Sequence, residues 1–146
     1  MPTFLPPDPD FAAKARATFA GQPFMAAIGA ELVRVAPGEV DIVLPFRADL
    51  TQQHGYLHAG VVTALVDTAC GCAAFTLMPA GSGVVSVEYK VNLLAPAVGE
   101  RMLARGRVLR AGRTLTVCSG EVLAVTGNEE KPVAAMLATM MRLASV

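Results

Sequence analysis

Gln52-Gln53-His54-Gly55-Tyr56-Leu57-His58-Ala59-Gly60, continuing into Val61 to Leu77, sets a polar, glycine-bearing loop against a helix that is apolar on almost every side. That helix carries one carboxylate, Asp67. Burying an isolated carboxylate is costly unless it is paired or neutralised, so a lone Asp in such a helix is a candidate catalytic group. The alternative is a structural carboxylate bonded to a Ser or Thr, and the residues alone leave the two readings about even.

Working outward, the 146 residues fit one domain with room for a single core. Residues 1–22 read as an N-terminal extension: a proline-rich start, then a short helix over Phe11 to Ala20, capped by Asp10 and stopped at Gly21 with Pro23 beyond. Ala30 to Ala36 and Glu39 to Phe46 form a hairpin across Pro37-Gly38. After the helix, period-two runs at Val84 to Leu94, Arg101 to Ala111, Thr114 to Thr126 and Val133 to Leu143 predict four strands. In the second run, Arg101, Leu103, Arg105 and Arg107 alternate with Met102, Ala104, Gly106 and Val108, which gives one solvent-rich face and one core face. The only large apolar object available to cover such a sheet is the helix. The fold class is therefore α+β, a long antiparallel sheet wrapped round one central helix.

Twelve basic and twelve acidic residues balance, so the chain carries no electrostatic footprint for nucleic acid or an anionic membrane surface. A composition that is 53% hydrophobic predicts that apolar surface is shared between copies, as at least a dimer and by expectation a tetramer. Cys70, Cys72 and Cys118 have neither zinc nor redox spacing and point to a reducing cytoplasm. Met1 to Asp10 has no secretory pattern. A membrane span through Gly60 to Met78 is disfavoured, because Asp67 at its centre would cost roughly 2.5–3.5 kcal/mol. His54 and His58 have the spacing of a metal pair but lack further ligands, and no metal is expected.

Helix arithmetic constrains the chemistry. On one continuous helix, the nine residues from His58 to Asp67 amount to about 13–14 Å of rise and about half a turn of net rotation. Both groups cannot reach one substrate carbonyl, so either one of them is not catalytic or two chains build the site. The backbone N–H groups of Ala59 and Gly60, at the positive end of the helix dipole, can form an oxyanion site. Asp67 can serve as general base toward water or as a nucleophile. Gln52 and His58 can fix the water or the carbonyl, although His58 can equally be a helix-start residue bonded to backbone.

Gln52, His58-Ala59-Gly60, Leu65-Val66-Asp67-Thr68-Ala69, Val85-Ser86-Val87-Glu88-Tyr89 and Leu94-Ala95-Pro96 together resemble the phenylacetate-degradation (PaaI) type of hotdog-fold acyl-CoA thioesterase, over about Gly29 to Leu143. The resemblance implies hydrolysis of a small aryl- or medium-chain acyl-CoA to a carboxylic acid and coenzyme A. It implies Asp67 as catalytic carboxylate, Gln52 as the residue positioning water or thioester, His58 with the Ala59 amide as oxyanion element, and Ser86 as a hydroxyl supporting the water. It implies that Asp67 of one subunit faces the helix tip of another. It also implies a coenzyme A site at Gly60, Val85, Val87, Arg110, Gly112 and Arg113; coenzyme A is part of the substrate and no separate cofactor is expected. Many members have His-Gly-Gly where this chain has His58-Ala59-Gly60, and Ala59 is harmless if it occupies the first helical turn. An enoyl-CoA hydratase or dehydratase, and a noncatalytic acyl-CoA-binding module, are the alternative readings. Pocket depth is expected to depend on how Phe75, Leu77, Met78 and residues of a partner chain pack.

Overall fold

The alternating runs become strands because each has one apolar face to bury and one polar face to leave in water. In the computed structural model, which describes residues 2–144, the six strands are β1 (Glu31–Ala36), β2 (Glu39–Pro45), β3 (Gly83–Leu93), β4 (Arg101–Ala111), β5 (Leu115–Thr126) and β6 (Glu129–Leu143). All pairings are antiparallel, in the order β1-β2-β4-β5-β6-β3. The sheet is folded round one long helix, α3 (Ala59–Phe75), which contacts every strand from β2 to β6. This is the hotdog arrangement that the resemblance implies. Among the described residues no helix is long and apolar enough to cross a membrane.

Three local readings need correction. β6 begins at Glu129, earlier than the expected Val133, because Gly127 at φ +58° allows a two-residue turn that pairs Thr126 with Glu129. Pro132 is tolerated within the strand because it sits at an irregularity in the β5–β6 pairing. The helix α1 (Phe11–Ala20) forms as predicted, but the Asp10 side chain makes no capping bond; the Asp8 carboxylate accepts the Asp10 N–H instead, at 2.9 Å. Pro23 does not merely follow a helix stop. It opens a second short helix, α2 (Pro23–Ile28), at the position where its missing N–H costs nothing.

The core lies between α3 and the concave face of the sheet. Val62, Leu65, Val66, Ala69, Cys70 and Ala73 are buried against Ile42, Leu44, Met102, Ala104, Val108, Val122 and Met140. Two glycines set how closely helix and sheet approach. Gly106 and Gly120 are partners in one row across β4 and β5. A Cβ on Gly106 would stand 2.3 Å from the Ala69 carbonyl, and one on Gly120 would stand 2.5 Å from a Val66 methyl. The helix backbone therefore rests almost directly on the sheet backbone at this row. Gly106→Ala must lift α3 off its seat, and a loss of about 1–3 kcal/mol or more of stability is expected from urea unfolding midpoints.

The three thiols are buried fillers of this core. Burial pushes Cys72 and Cys118 up to about 12 and raises Cys70 as well. The native protein at neutral pH should leave a chromogenic disulfide reagent unreacted, whereas the denatured chain should titrate three thiols. The unfolded chain ionises its thiols from about pH 8.5 upward. The stability contributed by their burial is therefore fully present below that pH and lost as pH rises toward the folded values.

Candidate active site

The seating of α3 turns its larger apolar residues to the sheet and leaves Gly60, Thr63, Ala64, Asp67, Thr68 and Gly71 on a partly open stripe. Asp67 is accordingly half-buried in a single subunit, not enclosed as the apolar helix suggested. The Ser86 hydroxyl donates to its Oδ1 at 2.7 Å. Ser86 also lies 3.3 Å from the Met140 sulfur, but its one proton goes to the stronger acceptor, the carboxylate. An irregularity in the β3–β6 pairing leaves Val87 without a partner between Ser86 and Glu88. Such a bulge re-aims neighbouring side chains, and this one falls beside the serine that meets α3.

A cavity of about 350 Å³ opens beside this pair, lined by Asp67, Ser86, Val85, Cys72, Thr18 and Gln22 among others. Thr18 comes from α1 and Gln22 is the residue preceding α2, and the sequence assigned neither of them to the site. No sequence signal marks them, because their place here depends on how α1 docks on α3. Phe75 and Met78 are buried in the core and Leu77 packs against it, so within one subunit none of the three lines the Asp67 cavity.

The other end of the helix carries a different constellation. The loop before it is closed on itself: Gln52 N–H donates to the Tyr56 carbonyl at 2.8 Å, and Gly55 N–H to the Gln52 carbonyl at 3.0 Å. The Gln52 side-chain oxygen accepts from His54 N–H at 2.6 Å and from Tyr56 N–H at 3.3 Å. With its oxygen so occupied, the carboxamide has only its NH₂ to offer a ligand. His58 is the N-cap of α3, and its Nδ1 accepts the Gly60 N–H at 2.8 Å. This corrects the expectation that Gly60 shares the oxyanion role, since its amide is already used. Ala59, the first helical residue, has no intrahelical acceptor for its N–H. Its φ is not positive, so the methyl group is harmless there.

Gln52 and Ala59 line a second cavity of about 170 Å³ with Tyr56, Leu93, Pro96 and Val133. The two cavities share no residue. Within one chain, then, a carboxylate–hydroxyl pair and a pair of N–H donors stand apart, as the half-turn arithmetic requires. They are joined by β3, whose first residues line the Asp67 cavity and whose last, Leu93, lines the Ala59 cavity. β3 is an edge strand, and Val85, Val87, Tyr89 and Leu93 on it are each 40–55% exposed. Antiparallel pairing of this edge with a second copy would set the first half of one β3 against the last half of the other.

Of the other expected residues, Val85 lines the Asp67 cavity while Val87 and Gly60 line neither. Arg110, Gly112 and Arg113 are exposed at the β4–β5 turn, and the row Thr116–Met140–Ser86 places that turn at the Ser86 end of the sheet, two strands away.

The thioesterase superfamily model matches residues 54–131, just over half of the chain. A thioesterase family protein of Silicibacter pomeroyi is 48% identical in sequence and superposes with a TM-score of 0.89, covering 91% of this chain and 98% of that one. Human acyl-coenzyme A thioesterase 13 is 33% identical over 89 residues, 60% of this chain and 63% of its own. The PaaI protein of the E. coli phenylacetic acid degradation operon shares the fold at 20% identity, with a TM-score of 0.83 over 94% of this chain and 96% of that one. The chain spans roughly three fifths to two thirds of the curated relatives it matches.

The capping role of His58 has a direct test. His58→Ala should lower stability by about 0.5–2 kcal/mol in urea unfolding. His58→Asn, which can accept the same amide, should recover most of the loss.

Proposed function

Since the chain belongs to the thioesterase superfamily, we propose that it hydrolyses acyl-CoA thioesters at sites built from two subunits, in the manner of the PaaI type. The observation that carries this reading is the separation of one functional set into two cavities at opposite ends of the edge strand β3, whose outer side has no partner among the described residues. Pairing two such strands about a two-fold axis unites the Asp67–Ser86 pair of one subunit with the Ala59 amide and Gln52 of the other, twice per dimer. Further pairing of dimers into tetramers is part of the proposal.

The chemistry follows from the groups present. The thioester carbonyl oxygen accepts the Ala59 N–H, and the Gln52 NH₂ orients the thioester or the water. Ser86 and Asp67 hold a water on the opposite side. Asp67 takes a proton from it as the oxygen attacks the acyl carbon, and the developing oxyanion is stabilised at the helix tip. The C–S bond then breaks, and coenzyme A leaves as a thiolate, a group stable enough to depart without a strong acid. The carboxylic acid is the second product. Attack by Asp67 itself would give an anhydride that water then opens, with the same donors in the same roles. His58 acts here by fixing the helix start. Arg110 and Arg113 meet the coenzyme A phosphates from the β4–β5 turn, with Gly112 keeping the turn tight and Gly60, Val85 and Val87 along the carrier's path. An aryl or medium-chain acyl group suits the partly apolar cavity, and a cytoplasmic location suits the reduced thiols.

Thiol release across a panel of acyl-CoA esters tests the reading. Asp67→Asn should lower kcat by roughly 10²–10⁴-fold with its fold retained, and near-normal turnover would remove Asp67 from the mechanism. Subunit mixing tests the composite site: Asp67→Asn and Gln52→Ala chains, each impaired alone, should regain activity when co-expressed, because a mixed dimer holds one intact pair. Hydration of an enoyl-CoA without thiol release would favour the hydratase reading. Tight acyl-CoA binding without turnover, indifferent to Asp67→Asn, would favour a binding module.

A further inference from the structure

The family-matched stretch starts at residue 54, yet the cavity beside Asp67 is lined in part by Thr18 and Gln22. We infer that the N-terminal helix α1 ends the acyl slot, and that Thr18 and Gln22 determine the length of acyl group accepted; this rests on the hydrolase reading. The slot runs along α3 from Asp67 past Thr68 and Gly71 to Cys72, about 7–8 Å of helical rise. Gly71 keeps this wall free of a side chain. Packing does not demand glycine there, since the nearest atom to an added Cβ would be the Met140 sulfur at 4.0 Å. A glycine inside a helix is otherwise unfavourable relative to alanine, and here it leaves lumen where a methyl group would project.

Thr18 and Gln22 differ from the residues that attach α1 to the body of the protein. Ala15 is fully buried and Phe19 packs against the core. Thr18 and Gln22 are only half-buried, and no hydrogen bond of either side chain appears among the described residues; Gln22 precedes α2 without capping it. They are wall rather than anchor. The wall is nonetheless held firmly. Lys14 donates to the Met78 carbonyl at 2.8 Å, pairs with Asp8 at 3.2 Å and lies 4.6 Å over the Phe75 ring. These contacts fix α1 just beyond the C-terminal end of α3, so the slot has a definite end and not a mobile flap.

The test is the ratio of kcat/KM for octanoyl-CoA to that for butyryl-CoA, in wild type, in the double variant Thr18→Ala with Gln22→Ala, and in Thr18→Phe. The alanine pair removes no hydrogen bond and should raise the ratio by about tenfold or more, given that one methylene in an apolar pocket is worth about 10–200-fold. Thr18→Phe should lower it by at least a similar factor. Ratios within about twofold of wild type in both variants, with thermal unfolding unchanged, would overturn the inference while leaving the hydrolase reading intact. No thiol release from any ester by the wild-type protein would overturn both.

Discussion

The backbone-to-backbone contact of α3 with the sheet at Gly106 and Gly120 governs the rest of the molecule. Where side chains normally hold a helix off a sheet, the absence of two Cβ atoms lets Ala69 and Val66 settle onto β4 and β5. A helix seated so closely has little freedom to rotate. Its rotation in turn dictates which residues meet the strands and which remain on the open stripe, and thereby sends Asp67 toward β3 while Ala59 turns toward the loop at Gln52. A pair of residues with no polar chemistry thus decides where the polar chemistry can occur.

Each half of the proposed site is already hydrogen-bonded within the single subunit. Ser86 is committed to the Asp67 carboxylate, and the Gln52 oxygen is committed to its own loop amides. His58 takes the Gly60 amide and leaves that of Ala59 at the tip. What remains on offer is one acceptor set and one donor set, with little reorganisation needed to use either, which is the condition under which dipoles contribute most to a reaction. The arrangement also explains why the two His residues play unequal parts: His58 is fixed by geometry at a helix start, whereas His54 stays on the loop surface, its ring 6.1 Å from that of Tyr56.

Much of this was legible from the chain. Strands declared themselves through alternation, most clearly in Arg101 to Ala111, whose bounds the structure reproduces. The half-turn between His58 and Asp67 follows from helix geometry alone, and it separates the two cavities correctly. Less legible were features that depend on long-range docking or on a single turn residue. Gly127 moved the start of β6, and Pro23, read as a stop, is also a good start. Asp67 was expected to be enclosed because a count of apolar neighbours along a helix says nothing about which side the sheet leaves uncovered. Thr18 and Gln22 carry no motif at all; their proximity to Asp67 is a property of how one helix lies on another.

The pairing of β3 with β6 has a consequence for how the protein is made. Ser86 sits on a strand whose intrachain neighbour, β6, is the last of the sheet in chain order. During vectorial synthesis the helix and four strands can emerge and begin to associate while β3 still has no ladder on either side. The serine that donates to the carboxylate therefore has no ladder to hold its strand until β6 is made, and a chain ending before Glu129 would lack the strand that joins β3 to the sheet.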